Sequence, residues 1–265
     1  QDKNGQDFII YGSFFGGIYI KPLDKNGSAK GCSKGIRIAG GLNTPVEGAY
    51  IKYSFRDNLY YLFLSYGSLT YNYNIRYATS NDIQGPYIDS RGNLMTNLDP
   101  ILRVGDKLIG SYNFDISNEQ SYIAPGHNSL LVEGEDTYLV HHARIMNQQN
   151  YPFLNIRKIY HKSKGKILLS PFTYDGCFEG IIGTDAEFRR GNFKYLSLIY
   201  WDPFNEGIIY GRKIPCSELD VKFEGGLTFL NINDTRFSGF TITHKDEQAV
   251  LLSDDRGEQV WGMFF

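Results

Sequence analysis

The first two thirds of the chain repeat one pattern of apolar and polar positions. A short strand rich in Tyr and Phe is followed by a tight turn and a second strand in which apolar and polar side chains alternate. The pattern appears as DFIIYGSF with GGIYIKPLD, as LYYLFLSYG with YNIRYATS, and as DTYLVHHARI with LNIRKIYHK. Such alternation is typical of an antiparallel hairpin with one buried face. In the second copy we expect Ile75 and Tyr77 to be buried and Asn74 and Arg76 to face the other side.

The hairpins recur at intervals of about 50 to 80 residues, and no helical period is sustained over three turns. Repeats of three or four strands at this interval predict β-propeller blades, but three blades are fewer than a closed propeller contains. The chain also opens with QDKNGQDFII, which reads as a turn and a strand without a start methionine. We therefore expect further blades to come from outside this sequence.

The pattern changes after LLSPFTYDG, which ends at Gly176. Six shorter strands are predicted beyond it, separated by Gly, Asp and Asn turns: FKYLSLIYW, EGIIYGRKI, DVKFEGGLTFLNI, RFSGFTITH, AVLLSDDRG and QVWGMFF. Six such strands can close into a small barrel or sandwich. We accordingly predict an all-β chain of two domains, residues 1–178 and 179–265.

Composition supports this fold class and narrows the function. Aromatic residues make up 15% of the chain, with 20 Tyr and 29 Gly, a mixture typical of strands and turns. Tyrosine at this density also suits a carbohydrate surface, although strand-rich proteins use it without binding sugar. The net charge of −2, without a basic stripe, argues against nucleic-acid binding. The three cysteines, Cys32, Cys177 and Cys216, are too few and scattered for a disulfide scaffold or a zinc site, although one bridge stays open.

Two segments carry a specific resemblance. One is TPVEGAYIKY followed by NLYYLFLSYG, YNIRYATS and IQGPYID, and the other is IAPGHNSLL followed by DTYLVHHARI. In this order and spacing they resemble the fourth and fifth blades of the five-bladed propeller in the arabinanase branch of glycoside hydrolase family 43. YGSFFGGIYI resembles the third blade, and the stretch ending in QVWGMFF resembles the small β-barrel appended to some of these enzymes. The resemblance implies a partial five-bladed propeller followed by an accessory β-barrel.

The resemblance also implies a catalytic residue. In this family the glutamate of the motif E-(G/A)-P-(Y/F) is the general acid, and the matching residue is Glu47, with Ala49 where proline is usual. Inverting glycosidases use an acid to protonate the leaving oxygen and a base to activate water, with the two carboxyl groups roughly 6.5 to 9.5 Å apart. From the residues alone, Glu47 is a carboxylate at the start of a strand, and such residues are more often exposed and inert.

His127 is the candidate metal ligand. A single histidine in a Gly-Asn-Ser turn is, from the residues alone, more often a turn residue than a ligand. The resemblance implies instead that His127 points into the central channel and helps to hold a cation, commonly calcium, whose other ligands are mostly waters. Because calcium prefers oxygen ligands, we expect a weak site that acts on the electrostatics near the acid and supplies no nucleophile.

Seven further residues lie at positions of the matching motifs that can contact sugar: Ser13, Phe14, Ser65, Tyr66, Asn74, Arg76 and Arg144. Plain alternatives stay open, because Ser65 and Asn74 can instead satisfy strand ends and the arginines can pair with carboxylates. His141 and His142 are adjacent on a strand and must face opposite sides, so we expect one of them in the core. Asp99-Pro100-Ile101 looks like the motif of the catalytic base, but it lies between the fourth-blade and fifth-blade matches, and we interpret it as a turn.

The resemblance places the base aspartate in the first blade and a second aspartate just before the third blade, and neither has a match here. Three explanations stay open: a proteolytic cut, a naturally split enzyme, or a truncated relic that only binds. We favour an N-terminal partner chain that supplies the base. The predicted function is then inverting endo-hydrolysis of α-1,5-linked arabinan by a secreted or periplasmic enzyme. The alternatives are a non-catalytic carbohydrate-binding protein and an exo-acting arabinofuranosidase or β-xylosidase.

Overall fold

The structure is a computed structural model that describes residues 1–70, 72–111, 122–145, 151–161, 165–170 and 173–174, together with the backbone of the strands between 180 and 264. All the regular secondary structure among the described residues is β-strand, and all the described strand pairs are antiparallel. This confirms the all-β class. The five-bladed ring and the C-terminal barrel stay predictions.

Three small sheets follow one another along the chain, each with its strands in sequential order. The first sheet contains β1 (Phe8–Ser13), β2 (Gly17–Pro22) and β3 (Ile36–Ala39). The second sheet contains β4 (Val46–Ser54), β5 (Leu59–Tyr66), β6 (Asn74–Ser80) and β7 (Asp106–Ile109). The third sheet contains β8 (Tyr122–Glu133), β9 (Asp136–Ile145), β10 (Phe153–His161) and β11 (Ile167–Leu169). The three predicted hairpins are confirmed as β1–β2, β5–β6 and β9–β10.

The C-terminal strands form a separate sheet in the order β14-β13-β19-β18-β17-β16-β15, with β12 paired to β17. They are β12 (Gly180–Ile182), β13 (Tyr195–Trp201), β14 (Ile209–Pro215), β15 (Asp220–Glu224), β16 (Leu227–Ile232), β17 (Thr235–His244), β18 (Glu247–Ser253) and β19 (Gln259–Phe264). The prediction of six strands was wrong, because the segment predicted as one strand contains both β15 and β16, and because β12 was not foreseen.

The described residues up to Ser170 belong to one compact unit, and the strands from Gly180 onward belong to a second. The predicted boundary between residues 178 and 179 lies outside the described residues, as do Cys177 and Cys216. Cys32 is an exposed free thiol.

The core of the first unit is formed by aliphatic side chains of its strands, among them Ile18, Ile20, Val46, Leu62 and Leu64, all fully buried. Each such side chain contributes about 1.5 to 3 kcal/mol relative to an exposed one. This packing fixes β4 and β5, and with them the residues at the start of β4.

The expectation of one buried face on β6 was wrong. Asn74 is 0% exposed and Arg76 is 3% exposed, while Ile75 on the opposite face is also buried. The alternation of polar and apolar residues therefore marks two covered faces, one of which is filled by hydrogen-bonded polar side chains.

A buried polar contact between Tyr77 and Ile167 joins the second and third sheets. The backbone N–H of Ile167 donates to the Tyr77 hydroxyl oxygen at 3.1 Å, and that hydroxyl lies 3.4 Å from the Ile167 carbonyl oxygen. Both groups are buried, so this contact supplies partners that water cannot reach.

Candidate active site

Glu47 lies beside a break in the pairing of β4 with β5. It stands opposite Ser65, but the regular register resumes only at Tyr50. Gly48 within the break has a φ of 60°, a left-handed conformation that glycine adopts without steric cost. A Cβ on Gly48 would lie 3.1 Å from Oγ of Ser65 and 3.3 Å from Cγ of His127. The break therefore brings His127 of the third sheet next to the residue that follows Glu47.

Tyr73 makes a side-chain hydrogen bond to Glu47 that the sequence did not predict. Its hydroxyl donates to Oε1 of Glu47 at 2.8 Å. Its ring is fully buried and stacks on His142, with centroids 5.7 Å apart and planes at 17°. Burial, assisted by the bond to Glu47, raises the pKa of Tyr73 well above its usual range, while a hydrogen bond with Ser65 lowers it. The hydroxyl is therefore protonated and acts as a donor to the carboxylate.

His127 lies in β8, where we had predicted a turn. The pairing of β8 with β9 shifts on both sides of Gly126, and His127 has a φ of 52°. Its backbone N–H donates to Oγ of Ser65 at 2.7 Å, while its side chain is exposed. The sequence favoured a turn because Gly-His-Asn-Ser lacks strand formers, whereas the neighbouring strand imposes an irregular strand there.

The two neighbouring histidines occupy different environments, as predicted. His141 is 2% exposed, and burial lowers its pKa to about 4. His142 is half-buried against Tyr73, and burial also lowers its pKa, with a further contribution from the charge of His127 and an opposing one from Glu47. His141 is therefore the core residue of the pair, and His142 belongs to the surroundings of Glu47.

Glu47 faces an open cavity of about 760 Å³, a size typical of ligand sites. Of the predicted sugar-binding residues, Phe14, Tyr66 and Arg76 line it. The segment 97–100 lines it as well, which the sequence did not indicate. Asp99 is exposed in the predicted turn, where its side chain accepts a hydrogen bond from the N–H of Ile101 at 2.9 Å.

The other predicted sugar-binding residues have internal partners or lie elsewhere. Asn74 donates to the carbonyl oxygens of Tyr66 and Asn72, and Arg144 donates to those of Leu69 and Thr70. Ser13 pairs with Gly17 at the end of β1 and is not among the described residues that line the cavity. Ser65 is fully buried. Their contacts with sugar stay predictions.

Arg76 lines the cavity, but its guanidinium group donates hydrogen bonds to other residues of the protein. Its Nε donates to Oδ1 of Asn74 at 3.0 Å, and Nη1 donates to the carbonyl oxygen of Arg103 at 3.1 Å. The guanidinium also lies over the ring of Tyr66, 5.8 Å from its centroid. Arg76 thus fixes Tyr66 and the segment before β7, both of which form walls of the cavity.

Residues 1–174 match glycosyl hydrolases family 43. The chain belongs to this family. Two curated relatives are extracellular endo-alpha-(1->5)-L-arabinanases: one from Thermotoga petrophila is 37% identical over 66% of this chain and 40% of its own length, and one from Bacillus subtilis is 34% identical over 66% and 41%. The family 43 chain thus spans about 40% of the length of these relatives.

Solved structures support the same assignment. An endo-1,5-alpha-L-arabinanase from Thermotoga petrophila in complex with TRIS has a TM-score of 0.82 at 27% identity, covering 100% of this family 43 chain and 65% of its own. A family 43 glycoside hydrolase from Bacillus licheniformis has a TM-score of 0.79 at 26% identity, covering 99% and 65%. The described residues contain no helix that is long and apolar enough to span a membrane.

Proposed function

We propose that this family 43 chain carries the general acid of an inverting endo-1,5-α-L-arabinanase and that Glu47 is this acid. The observation that supports the proposal most directly is that Glu47 combines a place on the cavity wall with a hydrogen bond from the buried Tyr73. The names of the relatives supply the substrate class, since two of the most similar are endo-arabinanases. A carboxyl group that is held at a cavity and also exposed to it can protonate a glycosidic oxygen.

The chemistry requires a second carboxylate that activates water on the opposite face of the sugar. We propose that an N-terminal chain supplies this base and completes a five-bladed propeller, with residues 179–265 as an accessory barrel. Asp99 is a poor candidate for the base, because its side chain closes a turn by accepting the N–H of Ile101. In this proposal the assembled enzyme acts outside the cell or in a periplasm, where polysaccharide is available and where its relatives are named as extracellular.

His127 is the proposed ligand of a calcium ion. No group of three or more His, Cys, Asp or Glu side chains gathers among the described residues. The exposed imidazole beside Gly48 therefore fits a cation only if most of its other ligands are waters. Such an ion would supply positive charge near Glu47.

Replacement of Glu47 by Gln tests the proposal. In the assembled enzyme we expect hydrolysis of linear arabinan to fall by about 10² to 10⁴-fold, the usual contribution of general acid catalysis, because Gln cannot donate the proton. Binding of arabino-oligosaccharide, measured by calorimetry, should stay nearly unchanged because the shape of the side chain is kept. Glu135→Gln is the control, since Glu135 is an exposed carboxylate in the β8–β9 turn. Comparable hydrolysis by Glu47→Gln and by the parent would refute the assignment.

An exo-acting enzyme is the second candidate. An exo-1,5-alpha-L-arabinanase from a bovine ruminal metagenomic library has a TM-score of 0.52 at 26% identity, covering 64% of this chain and 54% of its own. Product analysis on linear arabinan separates the candidates: mixed short oligomers indicate endo action and a single small product indicates exo action. Binding without any product would indicate the non-catalytic alternative.

A further inference from the structure

A directed series of hydrogen bonds ends on the carboxyl group of Glu47. It begins at the backbone N–H of His127, which donates to Oγ of Ser65 at 2.7 Å. A backbone N–H can only donate, so the Ser65 hydroxyl must accept this bond, and its own hydrogen is then available for its hydrogen bond with the Tyr73 hydroxyl. At the other end of the series the Tyr73 hydroxyl donates to Oε1 of Glu47 at 2.8 Å.

The ring of Tyr73 is held by two neighbours, so this last bond has little freedom. Its ring is 0% exposed and stacks on His142. Gly126 approaches the ring so closely that a Cβ there would lie 2.0 Å from Cε1 of Tyr73. A rigidly held donor fixes the direction of the carboxyl group it contacts, because the hydrogen bond weakens steeply when it is bent.

The bond distinguishes the two oxygens of Glu47. In the protonated form, one carboxyl oxygen carries the hydrogen and the other acts as a carbonyl-type acceptor. A donor held against Oε1 favours that oxygen as the acceptor. The hydrogen that a general acid transfers then lies on Oε2.

We propose that Tyr73 is the positioning residue of Glu47: anchored by Gly126 and His142 and supported by Ser65, it keeps the transferable proton on the carboxyl oxygen that it does not contact. The proposal rests on the proposed role of Glu47 as the acid. It gives Ser65 a role in supporting this arrangement, in place of the sugar contact predicted from the sequence.

Tyr73→Phe in the assembled enzyme tests this, because it keeps the ring and removes the hydroxyl. We expect kcat on linear arabinan to fall by about 10-fold to 100-fold, as for loss of one hydrogen bond to a charged group, with KM changed less than about twofold. The alkaline limb of the pH profile should move to higher pH, because the carboxylate form of Glu47 loses a donor. Ser65→Ala should show the same changes to a smaller extent.

A second substrate separates positioning from general damage. An arabino-oligosaccharide with a 4-nitrophenyl leaving group needs little protonation, so its hydrolysis should fall less than about threefold in Tyr73→Phe. An equal fall on both substrates would overturn the proposal, because it would show that the whole site is disturbed.

Tyr61→Phe is the matched control. Tyr61 lies in strand β5 of the second sheet, and its hydroxyl donates to Oδ2 of Asp57 at 2.7 Å. The substitution therefore removes a tyrosine hydroxyl that is bonded to a carboxylate other than Glu47. We expect Tyr61→Phe to leave kcat within about twofold of the parent and to leave the pH profile in place. If kcat on linear arabinan were equal in Tyr73→Phe and Tyr61→Phe, the proposal would be overturned.

The failure of the proposed function is distinguishable from failure of this inference. If the parent itself releases no product from either substrate, the function is refuted, and crystal structures of the parent and Tyr73→Phe then decide the positioning role. An unchanged orientation of the Glu47 carboxyl group in the variant would overturn it.

Discussion

The second and third sheets each bury an arginine, and the two arginines are hydrogen-bonded in the same way. Each places Asn-Ile-Arg on its third strand, as Asn74 to Arg76 and Asn155 to Arg157. In each, the Arg Nε donates to Oδ1 of the Asn, at 3.0 Å and 3.1 Å, and Nη1 donates to a backbone carbonyl next to the fourth strand, at 3.1 Å and 3.2 Å. Both arginines are buried. A buried cation in each sheet is thus held by an amide and by carbonyl oxygens.

The surroundings of the two arginines differ. Arg76 lines the cavity that contains Glu47, whereas Arg157 is not among the described residues that line it. Because the same bonds form away from the cavity, they are explained by closure of the sheet alone. A motif that repeats in both sheets therefore indicates architecture, even where one copy touches a candidate site.

The candidate chemistry lies where the two sheets are irregular. β4 loses its register after Glu47, and β8 shifts twice, once on each side of Gly126. Glu47 and His127 stand at these breaks, and the breaks are not copies of each other. Irregular strand segments can redirect side chains that a regular ladder would hold in fixed alternation.

The largest expected effect tests the shared motif. Arg76→Met and Arg157→Met should each lower the free energy of unfolding by about 3 kcal/mol, because each leaves buried carbonyl and amide oxygens without their donors. Urea unfolding monitored by tyrosine fluorescence measures both. A loss below about 1 kcal/mol for Arg76→Met alongside a full loss for Arg157→Met would break the comparison.

An intermediate effect is expected from a difference between the sheets. Residues 46–109, which hold the second sheet, contain no histidine, whereas the third sheet buries His141, whose pKa burial lowers to about 4. The unfolded chain then takes up a proton near pH 6.5, before the folded protein does, so stability decreases as the pH falls. Between pH 7.5 and pH 5 the loss attributable to His141 should be about 2 kcal/mol.

Hydrogen exchange at these two pH values, together with urea unfolding, checks this prediction. His141→Gln should remove most of the pH-dependent loss, although it lowers stability at neutral pH. The same slope against pH in the parent and in His141→Gln would contradict the assignment of the loss to this residue.

The smallest effect on stability compares two glycines with nearly the same backbone. Gly48 has a φ of 60° and Gly134 has a φ of 61°, but a Cβ on Gly134 would meet no atom within 4 Å. Replacement by Ala should cost about 1 kcal/mol of unfolding free energy at either position. Only Gly48→Ala, which presses on Ser65 and His127, should also lower arabinan hydrolysis, by about 10-fold. Equal activity of the two variants would show that the contact around Gly48 is not important for the site.

The sequence predicted the regular parts of the first unit because a hairpin leaves a period of two in its residues. It did not predict the burial of Asn74 and Arg76, since alternation alone does not tell a solvated polar face from one that is hydrogen-bonded internally. Glu47 came from the resemblance, because nothing in its local pattern distinguishes it from an ordinary exposed carboxylate. Tyr73 was missed because its contact with Glu47 depends on the fold and spans 26 residues.

The contact between Tyr77 and Ile167 has a consequence for synthesis. The two residues are 90 positions apart, so a ribosome that adds about 5 to 20 residues per second completes this contact roughly 5 to 20 seconds after Tyr77 is made. During that interval the second sheet exists without its neighbour, and the hydroxyl of Tyr77 and the rings of Tyr61 and Phe63 beside it lack their cover. The nascent chain thus has a period in which another protein, such as a chaperone, can bind this face before the third sheet closes over it.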